Sequence, residues 1–226
     1  MLQIFGVPFS AHTRKVLVAA HLKGIEYALL PVVPLAPPPG WRELSPLGLI
    51  PAMRDGQCTL ADSSVICQYL ERRHGGAALL PADPAQLGRA LWIEEYVDSS
   101  LAPHVLHGVL MQRVFAPRFL KQPTDEALVR RSLEELIPPC FAYLEGELAG
   151  DWFAGEFSIA DITVASILMN YHYAGERIDM QSYPRLHGFL RRALARECFR
   201  QALAREAPAA ADVGGLDMGL LRELGH

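Results

Sequence analysis

Cysteine is scarce in this chain of 226 residues, and the four that occur, Cys58, Cys67, Cys140 and Cys198, lie far apart. Without a C-x-x-C pair they support neither a redox motif nor a zinc site and read as small buried hydrophobes. His104 and His107, three residues apart with no obvious carboxylate partner, do not make a metal site either, so no metal is expected. No apolar run approaches the ~20 residues a membrane span requires. Met1-Leu2-Gln3-Ile4-Phe5 lacks the charged-then-apolar layout of a signal peptide, which excludes a membrane partner and leaves the cytoplasm as the expected location. Charge of one sign is missing too. Lys and Arg total 21 against 25 Asp and Glu, a net charge of −4 with the signs evenly mixed. There is no basic stripe for nucleic acid.

Apolar residues make up 50% of the chain, ample for a core. Leu2–Val7 reads as a strand, a helix begins near Thr13 with Val16, Leu17, Ala20 and Gly24 on one face, and Ile25–Val32 reads as a second strand. That order is a βαβ unit with parallel strands and a right-handed crossover. Pro34–Gly40 is an irregular loop, and Trp41–Leu44 a single helical turn. Asp55-Gly56 joins two short strands as a hairpin before a helix at Asp62. These elements make a four-stranded α/β layer over residues 1–76, with a linker over 77–86. Strand signals then stop. Gln86–Phe119, Thr124–Leu148, Ser158–Tyr173 and Tyr183–Ala204 have helical patterns, with Pro103 and Pro138-Pro139 placed to kink or interrupt them. The expectation is an α+β fold, with an all-helical domain over 87–206 and a tail over 207–226. Ser158 and Asp161 resemble a capping box, and Ile159–Met169 is apolar nearly all round, as suits a helix through a domain centre.

The densest chemistry lies between Ser45 and Leu70. Ile50-Pro51 precedes a short apolar strand, and a proline there can adopt the cis form found in about 5% of X-Pro bonds, turning the Ile50 amide and carbonyl outward. Asp62-Ser63 opens a helix whose apolar stripe is Val65, Ile66, Tyr69 and Leu70. Free amides at such a start form a carboxylate site. In the first loop, Ser10 and Thr13 precede or begin a helix, where a hydroxyl serves as a cap. His104, His107, Met111 and Phe115 share one helical face, which suits either a pocket wall or plain packing.

Ser45-Pro46-Leu47-Gly48-Leu49-Ile50-Pro51-Ala52-Met53, a turn, and Asp62-Ser63-Ser64-Val65-Ile66-Cys67-Gln68-Tyr69-Leu70 resemble the glutathione-site segment of the glutathione S-transferase superfamily. Ser45, Ile50, Met53, Asp62 and Val65 stand for that family's usual Asn, Val, Leu, Glu and Ala. Ser10-Ala11-His12-Thr13-Arg14-Lys15-Val16 is similar to the Ser-x-x-Thr-Arg-Arg-Val of its plant phi-like and related bacterial classes. Phe157–Ile162 resembles the family's cap on its buried helix, so the likeness spans residues 2–204. It implies a thioredoxin-like N-terminal domain, glutathione as co-substrate, Ser10 or alternatively Thr13 on the sulfur, and Ile50, Pro51, Asp62 and Ser63 on the tripeptide. It implies also an electrophile pocket, for which the candidates are His12, His107, Met111 and Phe115, and a homodimer. The dimer finds support in Leu91, Trp92, Glu95, Tyr96 and Ser99 beside the core face of the first long helix. No tyrosine precedes Tyr27 and no cysteine occurs from Ser10 to Lys15, which counts against Tyr-type and Cys-dependent members. Leu49 stands where many relatives carry Lys or Gln against the glycine end of glutathione.

The leading expectation is therefore a transferase that ionises the glutathione thiol and adds it to an electrophilic small molecule. A hydrogen bond to a charged acceptor is worth about 1.5 to 3 kcal/mol, enough to lower a thiol pKa of about 8.5 by roughly one to two units. A glutathione-dependent isomerase or peroxidase on the same site is the related alternative. A noncatalytic interaction module that keeps the fold and has lost the ligand is the alternative of a different class.

Overall fold

The structure is a computed structural model that describes all residues, Met1–His226. Leu2–Phe5 (β1) alternates buried and half-buried side chains, the period of a strand with one face on a core. Helix α1, Ala11–Lys23, begins two residues earlier than Thr13 because Ser10 caps it, and Gly24, with φ at 68°, ends it in the left-handed conformation. Tyr27–Leu30 (β2) runs parallel to β1 with Leu2 opposite Tyr27. After the short helix α2, Trp41–Leu44, come Ala52–Asp55 (β3) and Cys58–Ala61 (β4), which form the hairpin at Asp55-Gly56. The sheet order is β2-β1-β3-β4, and α3, Ser63–Arg73, packs beside α1.

The connector to the helical domain is shorter than 77–86, because the Asp83 carboxylate accepts the N–H groups of Ala85 and Gln86 and starts α4, Pro84–Tyr96, inside it. Nor is it slack. Leu79 is buried, its carbonyl accepts from Ile159 N–H at 2.9 Å, and its N–H donates to Glu71 at 3.1 Å. Beyond α4 the chain continues through π-helical segments Val97–Leu101 and His104–Leu120, separated around Pro103, which brings no N–H to the ladder. Helix α5, Glu126–Arg131, passes through a π-helical turn, Ser132–Leu136, into α6, Ile137–Glu147. Pro138-Pro139 falls in the first turn of α6, where a missing N–H is tolerated.

Every side chain of α7, Ile159–Tyr173, is buried, as its apolar surface demands. The Tyr183–Ala204 pattern is two helices rather than one, α8 (Pro184–Leu194) and α9 (Glu197–Val213), which break around Arg196. The tail beyond 206 is structured. Its residues complete α9, and Leu216, Leu220 and Leu221 are buried around α10, Gly219–Glu223. One apolar cluster of 54 residues runs from Leu2 and Ile4 through α1 into the helical domain. Helix α1 lies between α3 on one side and α7 and α9 on the other, so most of it is buried and not only the face of Val16 and Leu17. No helix is long and apolar enough to cross a membrane.

The start of α7 is held by Asp161, whose carboxylate accepts from Phe153 N at 3.0 Å, Ser158 N at 2.8 Å and the Ser158 hydroxyl at 3.1 Å. Asp161→Ala leaves buried donors unpaired and should cost at least about 2 kcal/mol in urea unfolding. Burial pushes the Asp161 carboxyl up to about 6, against its hydrogen bonds. Between about pH 4 and 6 the native state therefore holds a proton that the unfolded chain has released, so this group makes stability fall as pH rises through that window. The substitution should flatten that part of the profile, and an unchanged profile would contradict the assignment.

Candidate active site

The loop from β1 to α1 passes through Pro8 and Phe9 to Ser10, whose extended backbone (φ −72°, ψ 129°) is that of a helix cap. Ser10 N–H donates to Val7 O at 3.1 Å, its carbonyl accepts from Arg14 N at 2.8 Å, and its Oγ accepts from Thr13 N at 3.4 Å. The half-buried hydroxyl donates to no protein atom, so its proton is unspent at the positive end of α1. Thr13 is different. It is fully buried, and its Oγ1 lies against Gly6, where a Cβ would come within 2.5 Å of it. The close approach of strand and helix requires glycine there, and it leaves the Thr13 Oγ1 buried without a hydrogen-bond partner.

Phe5 pairs with Ala52, which sets Ile50-Pro51 beside the loop leading to Ser10. The Ile50-Pro51 bond is cis. Ile50 lies outside the ladder of β3, whose first paired residue is Ala52. The turn before it is tied by the Ser45 hydroxyl donating to Leu49 O at 2.7 Å and by Arg42 donating to Pro46 O at 2.9 Å. Arg42 also packs on Gly48, which makes it a cation close to the exposed, apolar Leu49.

Asp62 occupies a φ of 84°, a region that Asp and Asn tolerate better than most residues and that recurs at functional sites. Its Oδ1 accepts from Ser64 N at 2.9 Å and Val65 N at 3.0 Å. This corrects the expectation of free amides, since two are taken by the cap. Left for a ligand are the second oxygen of the exposed Asp62 and the largely buried Ser63.

The helical domain supplies the other wall. Phe115 is half-buried and stacks on Phe9 at a centroid distance of 6.5 Å, with Phe119 beyond it at 6.1 Å. Met111 is half-buried and His107 exposed on the same segment. His12 Nδ1 lies 3.7 Å from Asp98 Oδ1. Burial holds the His12 imidazole below its ordinary 6.5, with Asp98 opposing the shift and Lys15 and His107 adding to it. Behind His12 the buried Lys15 Nζ bonds Glu94 at 2.6 Å, Asp98 at 2.9 Å and the Ser64 hydroxyl at 2.9 Å. Burial works against that charge, but Asp98 and Glu94 outweigh it and hold the ammonium pKa above 10.5.

Sequence reasoning missed Phe9, Lys15, Glu94 and Asp98. The one signal for the last three was complementary spacing, His12 and Lys15 one turn apart on α1 facing Glu94 and Asp98 four apart. Two open cavities of about 420 and 400 Å³ lie around Gly24 and Ile25 at the far end of α1, away from this loop. No group of three or more His, Cys, Asp or Glu is placed to hold a metal ion. The arrangement offers a half-buried hydroxyl with an unspent proton, an unpaired strand residue, a capped helix start and an aromatic wall.

Residues 4–78 match the family model for the glutathione S-transferase N-terminal domain, and residues 114–192 that for its C-terminal domain. The chain is 30% identical to a glutathione S-transferase of Triticum aestivum, an alignment covering 92% of this chain and 95% of that protein. It is 30% identical to the maleylacetoacetate isomerase of Pseudomonas aeruginosa, covering 85% and 91%. A solved glutathione S-transferase from Rhodospirillum rubrum F11 superposes with a TM-score of 0.82 over 90% of this chain and 92% of that one, at 21% identity, a likeness of fold.

The His12–Asp98 contact makes a direct prediction. By NMR the His12 ring should titrate below 6.5, and Asp98→Asn should move its midpoint lower still, because the carboxylate favours the imidazolium. A midpoint that does not move would separate the two groups.

Proposed function

Because the chain belongs to the glutathione S-transferase superfamily, we propose that it is a glutathione transferase in which Ser10 stabilises the glutathione thiolate for attack on an electrophilic carbon. The unspent hydroxyl proton of Ser10 at the start of α1 is the observation that carries this reading. Its donation to sulfur favours the charged form and lowers the thiol pKa by roughly one to two units. The cysteinyl part pairs with the Ile50 backbone as an added strand beside Pro51. The γ-glutamyl end meets Ser63 with its carboxylate and the free oxygen of Asp62 with its ammonium. Arg42, which packs on Gly48, is the cation proposed for the glycine end, where Leu49 offers none. The electrophile lies against Phe9, Met111 and Phe115, with His12 and His107 at its margin. Catalysis is by positioning and thiolate stabilisation, with no metal and no acid-base pair required. The unpaired state of all four cysteines accords with a cytoplasmic enzyme.

A second reading is favoured by the Pseudomonas aeruginosa relative, a maleylacetoacetate isomerase. In an isomerase the same thiolate adds reversibly, and glutathione is not consumed. A thiol-adduct screen across aryl halides, epoxides, enones and hydroperoxides separates conjugation from turnover without thiol loss. Ser10→Ala should cut turnover at least tenfold at neutral pH while glutathione affinity stays within a few fold. Lost affinity with unchanged turnover would move the sulfur's partner elsewhere, and failure of the native protein to bind glutathione-agarose would favour the noncatalytic module.

We also propose a homodimer. Trp92 remains 53% exposed even though its Nε1–H donates to Tyr143 OH at 2.6 Å and Tyr96 packs on the Tyr143 ring. Leu47, Leu49 and Val65 are exposed as well, apolar side chains that a two-fold pairing would bury symmetrically. Sedimentation at micromolar concentration should give twice the 24.9 kDa of one chain; a concentration-independent 24.9 kDa would refute it.

A further inference from the structure

Two donors converge on the carbonyl oxygen of Phe9, the residue before Ser10. Arg14 Nη2 and Asn170 Nδ2 each lie 3.3 Å from it. This carbonyl belongs to the peptide whose N–H, on Ser10, donates to Val7 O, so both edges of the Phe9–Ser10 peptide are pinned. Arg14 is in turn held by the Glu206 carboxylate of α9, with Nε to Oε2 at 2.7 Å and Nη2 to Oε1 at 2.6 Å. Asn170 of α7 accepts from Arg14 Nη1 at 2.9 Å. All three side chains are essentially inaccessible to solvent. Glu206 touches nothing in the cleft, yet without it the guanidinium loses its two-point carboxylate partner and keeps only Ser166 O, Asn170 and Phe9 O.

We propose that Glu206 is a positioning residue for thiol ionisation: through Arg14 it orients the Phe9–Ser10 peptide, and so aims the Ser10 hydroxyl at the sulfur. The inference rests on the assignment of Ser10 to the thiolate. The helical domain is then part of the ionising apparatus as well as the wall of the electrophile pocket. Asn170 makes the second support for the same carbonyl, so its loss has the same effect in smaller measure.

The test reads the ionisation of bound glutathione from its ultraviolet thiolate absorbance against pH, in the full-length protein. In Glu206→Gln, shown folded by circular dichroism and saturated with glutathione, the midpoint should rise by about one unit, about tenfold less thiolate below both midpoints. Turnover with an activated aryl halide should fall about tenfold at low pH and recover at high pH, where the thiol ionises unaided. A merely structural role would lower turnover equally at every pH and leave the midpoint in place, and that result overturns the proposal. Asn170→Ala keeps the ion pair, is expected to shift the midpoint in the same direction by less, and decides the question if Glu206→Gln fails to fold. A native midpoint equal to that of free glutathione would take down the Ser10 assignment itself, and this inference with it.

Discussion

The buried ion pair between Arg14 and Glu206 is the constraint on which the rest of this structure depends. Neither side chain is exposed at all, and the two lie in different domains. A buried charge is tolerated only when it is paired and its remaining hydrogen-bonding capacity is used. Arg14 meets that condition in full: Nε and Nη2 hold Glu206, Nη1 serves Ser166 O and Asn170, and the last donor serves Phe9 O. Tyr173 donates its hydroxyl to Glu206 from the other side. Burial alone would lower the Arg14 pKa, but Glu206 and Tyr173 outweigh it, and the guanidinium stays charged. Removing one partner would leave the other charge buried and uncompensated, a loss of about 3 to 5 kcal/mol in comparable buried pairs.

A second ionic contact one residue along does similar work nearer the surface. Lys15 binds Glu94 and Asp98 of the helical domain and Ser64 at the start of α3. It therefore joins three elements that border the cleft: α1 with its cap Ser10, α3 with its cap Asp62, and the segment from α4 that carries Asp98. Between these polar contacts the apolar core is continuous from Leu2 to Leu221. The two halves read as separate in sequence share one interior, and the site's first loop is held from both.

What was legible in sequence followed from strong local rules. The βαβ unit, the Asp55-Gly56 hairpin, the cis Ile50-Pro51 bond and the buried helix behind Ser158 and Asp161 each rest on a residue type with a narrow conformational use. What escaped depended on tertiary contact. Arg14 and Lys15 were legible only as part of the Ser10–Val16 motif, because nothing local says that α7 and α9 cover that part of α1. Thr13 read as a rival to Ser10 because both are hydroxyl residues near a helix start; in the fold they differ in exposure, Thr13 being fully buried against Gly6 and Ser10 half-buried. Asp62 read as the opener of a site with free amides, whereas its own side chain occupies two of them. The Ala- and Gly-rich stretch after Ala207 lacked a pattern, yet Leu216, Leu220 and Leu221 suffice to anchor it.

If the Arg14–Glu206 pair and the shared apolar core bind the α/β layer and the helical domain into one unit, the two cannot open separately. Native-state hydrogen exchange measures this most directly. Amides of β1, β3 and α1 should exchange with the same free energy and the same denaturant dependence as those of α7, all at the global limit. Exchange of the sheet and α1 through a lower-energy opening, with α7 still protected, would contradict the claim that the site's first loop is held by the helical domain.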